Sequence, residues 1–175
     1  MPDILPIIER LKLTAVDLRR TAEAVSAERW QDAPGAGRWS AAEVICHLTS
    51  VEDRVLAGAD KALRKGPVDV PLWKRLHPPI AIIERRIPRA KSPVPLEPHL
   101  LGGKLEMLNN YAARRVRSLA LLEQTKDQDL SKHYWRHPLL GMLNFYEWFR
   151  MVAHHEVRHT KQIREIVDFF QKSAK

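Results

Sequence analysis

The sequence predicts an all-α protein, an antiparallel four-helix bundle with a long proline-rich connection between helices 2 and 3. Three observations predict it. Four segments repeat apolar residues at spacings of three and four, which lines them up on one face of a helix. A complete helix-start signal opens the second of these segments. Eight prolines crowd residues 66–100, where regular helix cannot continue.

The first helix is expected from about Asp3 to Arg29, striped by Ile4, Ile8, Leu11, Ala15, Leu18, Ala22 and Val25. The second opens at Ser40. Its hydroxyl can cap the helix, Glu43 three residues on completes a capping box, and Trp39 can pack on Val44 as a hydrophobic staple. Val44, Leu48, Val51, Val55, Ala59 and Ala62 form its buried stripe, and Gly66-Pro67 stops it after Lys65. Ile80 to Ile87 lies between prolines and reads equally as a short helix or an extended piece. The third helix is expected from about Gly103 to Gln124, striped by Leu105, Leu108, Ala112, Val116 and Leu119. A polar break and a turn over His137-Pro138 to Gly141 precede the fourth, from about Met142 to Phe170. No sheet of consequence is expected.

The 175 residues fit one domain, residues 1–175, and 45% hydrophobic content can bury a core without disulfides or a structural metal. The single cysteine, Cys46, fits a reducing cytoplasm, and the absence of a cationic lead into an apolar segment argues against a signal peptide. No apolar run approaches a membrane span. We therefore expect a cytoplasmic protein with no membrane partner. The formal net charge of +8 favours anions at long range. No helix-turn-helix, zinc finger or aromatic-rich strand supports sequence-specific nucleic-acid readout, so any DNA affinity should be nonspecific and salt-sensitive.

Chemistry concentrates in the histidines. His155 and His159, spaced i and i+4, share one helical face with Trp148, Val152 and Ile163, whereas His154 points among charges. Two imidazoles one turn apart can share a metal ion. His47, beside Val44 and Val51 on the second helix, is the candidate third ligand. Cys46 points about 100° away from it and reads as a small core residue. His77, His99, His133 and His137 fall in loops or near helix ends and read as solvated, with His137 able to approach the site from its turn. His155-Glu156-Val157-Arg158-His159 also spells H-E-x-x-H, in which Glu156 would be the general base of a metalloprotease. The context speaks against that reading: few residues follow His159 and no strand is expected to hold a peptide.

Trp39-Ser40-Ala41-Ala42-Glu43 leading to His47-Leu48, then His137-Pro138, Gly141, Glu147-Trp148, His155, His159 and Gln162-Ile163, resembles the DinB-like superfamily. The resemblance spans nearly the whole chain. It implies a four-helix bundle with a divalent metal held by His47, His155 and His159, and two reaction classes, thiol-dependent S-transfer and metal-assisted hydrolysis. Zinc or nickel is the expected ion, with iron or manganese as alternatives.

Three neutral imidazoles leave an ion with open positions, as a catalytic site requires. We expect a metal-dependent S-transferase acting on a small molecule with a low-molecular-weight thiol. A hydrolase is the alternative, and a non-catalytic metal-binding or interaction protein the rival of a different class. The basic segment 66–100 is expected to shape the site's entrance, docked by Trp73, Leu76 and Ile80. Lys74, Arg75, Arg85, Arg86 and Arg89 would draw in an anion. The same segment could instead thicken the bundle or form a homodimer contact.

Overall fold

The computed structural model describes residues 3–85 and 101–173. Its elements are α1 (Leu5–Glu23), α2 (Ala41–Lys65), the short α3 (Leu72–Arg75), a 3-10 turn (Ile80–Glu84), α4 (Lys104–Gln124), strands β1 (Tyr134–His137) and β2 (Gly141–Asn144), and α5 (Phe145–Ser173). The chain is mostly helical, as expected, with one small antiparallel hairpin added. Among the four long helices α1 packs on α5 and α4, and α2 packs on α4 and α5.

The second helix begins as its sequence dictates. The Ser40 hydroxyl accepts from the Glu43 amide at 3.2 Å and Glu43 accepts from the Ser40 amide at 2.7 Å, so two orphan donors are satisfied. At its other end Gly66 takes a φ of 80°, a conformation that a side chain disfavours, and its amide still closes on Ala62.

Two helix boundaries in particular differ from expectation. The first helix ends at Glu23, not Arg29, because a turn from Ser26 carries Trp30 back into the core, where its indole donates to the Met107 sulfur. The fourth long helix begins at Phe145, not Met142, because residues 141–144 pair with 134–137, Trp135 facing Leu143 across the hairpin. Asn144 and Glu147 then exchange amide hydrogen bonds of 2.8 and 3.0 Å in a second capping box. Between the prolines, residues 80–84 form the 3-10 turn; Ile87 lies outside the described residues.

The buried face of α4 is also rotated from the expected one. Leu105 and Val116 are exposed, while Met107, Tyr111, Arg115, Ser118 and Leu122 turn inward. Arg115 explains the rotation, since an inward cation is invisible to an apolar stripe. All five of its N–H donors are used: two on the Glu52 carboxylate, and one each on Glu156, the Leu11 carbonyl and the Tyr111 hydroxyl. Ser118 donates to Glu52, and Thr14 and Tyr111 donate to Glu156. This polar layer joins all four long helices and separates two apolar clusters. One is built around Leu11, Val55, Leu122 and Phe149, the other around Leu18, Val44, Leu108 and Ile163.

The connection after α2 docks only in part as expected. Ile80 packs on the core, joined by Ile83, whereas Trp73 and Leu76 stay exposed. Glu84 accepts from His154 at 2.7 Å and from Arg10 at 3.2 Å, pinning the 3-10 turn across α5 and α1.

Candidate metal centre

His155 and His159 project from one face of α5, one turn apart, and α2 brings His47 to meet them. The Nε2 atom of His155 lies 3.2 Å from that of His47 and 3.1 Å from that of His159. One nitrogen from each ring lies within 4.8 Å of the others, a grouping able to hold a metal ion. His47 and His159 are buried and His155 is partly so.

The donor set fits a divalent cation. Imidazole nitrogens bound at about 2.0–2.1 Å to one ion stand roughly 2.9–3.4 Å apart, the spacing seen for the two measured pairs. Burial lowers the His47 pKa to about 4 and drives His155 and His159 well below their ordinary value, with the neighbouring histidines adding to the effect. Neutral rings offer lone pairs. At His159 the tautomer is set by Gln162, whose carbonyl oxygen lies 2.9 Å from Nδ1. An acceptor there requires Nδ1–H, which leaves the lone pair on the convergent Nε2. Without a cation, several such lone pairs would face each other in a poorly solvated space.

Trp39 forms a wall of the group. Its ring lies 5.1 Å from His47, and 6.2 Å from His159 in a stacked arrangement. As a capping staple it was legible in sequence; as part of this wall it was not, because the role depends on α5.

Glu156 stands between two of the histidines in sequence but not in chemistry. Both its oxygens are engaged in the polar layer, one by Tyr111 and one by Thr14 and Arg115. Burial raises its pKa despite those donors. This accounts for H-E-x-x-H without a protease: the glutamate is tied to α1 and α4, away from any role as general base.

The remaining histidines were expected to be solvated, and two of them are not. His133 and His137 are 8% and 9% exposed, held by the hairpin and the turn before it. His137 packs over Trp148 with ring centroids 5.1 Å apart. His77 is partly buried, its Nε2 3.4 Å from Glu147. His99, Arg86 and Arg89 lie outside the described residues. Cys46 is buried, as expected. Among the described residues no helix is long and apolar enough to cross a membrane.

Comparison with known proteins agrees with the motif reading. An uncharacterized protein of Bacillus subtilis (strain 168), YuaE, is 27% identical over 150 residues, covering 85% of this chain and 90% of its own length. The family model for the DinB superfamily matches residues 10–163. With that match over most of its length, the chain belongs to the DinB superfamily.

Proposed function

We propose that this protein is a metal-dependent S-transferase, with the four long helices forming an antiparallel bundle and His47, His155 and His159 holding one zinc or nickel ion. The observation that carries the reading is the convergence of three neutral imidazoles, two buried and the third partly so. Such an ion supplies Lewis acidity, lowering the pKa of a thiol and polarising an electrophile.

The protein's own residues do the rest. Gln162 orients His159, Trp39 shields one side, and the 3-10 turn holds the flank of α5 through His154 and Arg158. Cys46 is wholly buried, so the reacting sulfur comes from a low-molecular-weight thiol. In the transfer, that sulfur bonds to the electrophilic carbon as the leaving group departs, and the thiol proton passes to solvent. Hydrolysis is disfavoured because it calls for a base, and Glu156 is committed to the polar layer.

Metal analysis of untagged protein, combined with a thiol-consumption screen over several electrophiles, tests this. One divalent ion per chain is expected, lost in His47→Ala, His155→Ala and His159→Ala with the helical circular dichroism unchanged. Thiol consumption should vanish with the ion. Wild-type protein that takes up no metal, or consumption that survives His155→Ala, would sink the reading.

A further inference from the structure

We propose that His137 is a ligand-binding residue of this centre, whose Nε2–H donates to an anionic or carbonyl acceptor atom of the molecule entering beside the three histidines. The inference rests on the metal reading above and adds a residue outside the metal-ligand set.

The hairpin fixes the His137 tautomer. Its Nδ1 accepts from two backbone amides, Leu139 at 3.1 Å and Leu140 at 3.0 Å. A ring nitrogen that accepts carries the lone pair, so the proton of the neutral ring sits on Nε2. Burial, with His77 nearby, lowers the His137 pKa to about 4, which keeps the ring neutral at pH 7. The result is one donor with no freedom to become an acceptor.

Its location places that donor over the α5 face that carries His155 and His159. The ring lies over Trp148, which is two turns before His155 on the same face of α5. His137 is also within electrostatic reach of His155. Among the described residues Nε2 meets no acceptor, although both contacts to Nδ1 are made. Among the described residues the buried side-chain polar atoms without partners are His133 Nδ1 and Trp135 Nε1, so the His137 Nε2 is not one of those sealed away. A ring 9% exposed thus keeps one open donor, and a ligand bearing an acceptor would satisfy it. A thiolate, a carboxylate or a polarised carbonyl has the required chemistry.

Two substitutions separate this role from support of the hairpin. In His137→Asn the amide oxygen takes the place of Nδ1 and keeps the backbone contacts while the donor is lost. In His137→Gln the amide nitrogen takes the place of Nε2 and keeps the donor while the backbone contacts are lost. Wild-type and variant proteins are loaded with Co2+, metal content is measured, and azide is titrated by visible absorption. All three should bind one Co2+ per chain. Azide affinity should fall about tenfold in His137→Asn, the scale of one lost hydrogen bond, and by less than about threefold in His137→Gln. Wild-type affinity in His137→Asn at full cobalt content overturns the proposal, as does an equal loss in both variants. Wild-type protein that takes up no cobalt instead overturns the metal reading, and this inference with it.

Discussion

At the scale of single residues, burial separates histidines that sequence treats alike. His155 and His159 declare themselves by their spacing, since one helical face cannot bury two imidazoles without giving their nitrogens a partner. The burial of His137 gives no such signal, because its cover comes from Trp148 on another element. Its burial has a consequence for stability. Unfolded, the ring takes up a proton near its ordinary pKa of 6.5; folded, it does so only near 4. Between those values the unfolded state binds more protons, so this residue makes stability rise with pH and fall as pH drops from about 6.5 toward 4. His137→Gln should remove that contribution, and urea unfolding of both proteins across the window should show a shallower acid-side decline in the variant. Parallel profiles would mean that the ring does not titrate as a buried group. The candidate ligands were legible in sequence, then, as was the approach of His137 from its turn, while the commitment of Glu156 was not, since it depends on Thr14, Tyr111 and Arg115 far along the chain.

At the scale of elements, legibility followed the source of the signal. The α2 start was readable because Ser40 and Glu43 are three residues apart and cap each other locally. The same logic was available at Asn144 and Glu147, and would have placed the α5 start correctly. The hairpin before it was harder, as four-residue strands carry too little alternation to announce themselves. That hairpin imposes a demand on α2. A Cβ at Gly58 would lie 2.5 Å from the Trp135 indole nitrogen and 2.9 Å from its Cδ1. The indole cannot easily yield, being stacked on Trp148 at 5.1 Å and edged by Phe145. Gly58→Ala should therefore destabilise by about 1–3 kcal/mol through overpacking, despite alanine's better helix propensity. Thermal unfolding checks this, and a variant as stable as wild type would show that the hairpin can move off α2 at little cost.

At the scale of the whole molecule, the polar layer does what neither apolar cluster can. Arg115 reaches α1, α2 and α5 from α4, and every donor it carries has one assigned acceptor. Arg115→Ala would leave Glu52 and Glu156 buried without their cation and should cost about 3–5 kcal/mol in urea unfolding, on the scale of a broken buried ion pair. A loss below about 1 kcal/mol would mean that water enters and replaces the guanidinium. Replacing Arg115, Glu52 and Glu156 together by apolar residues of similar volume should recover much of that loss. Fold class was legible because it rests on periodic apolar faces. The layer was not, because its charges interrupt those faces. Apolar surfaces packed side by side accept small slips, and exchanges of similar volume within them cost less than about 1.5 kcal/mol. A slip by one helical turn, however, would carry Glu156 about 5.4 Å from its partners, and with it the two histidines that flank it. The two halves of the core thus tolerate exchanges that the layer between them does not, and the alignment of His47 with α5 is kept by charges that lie outside the histidine group.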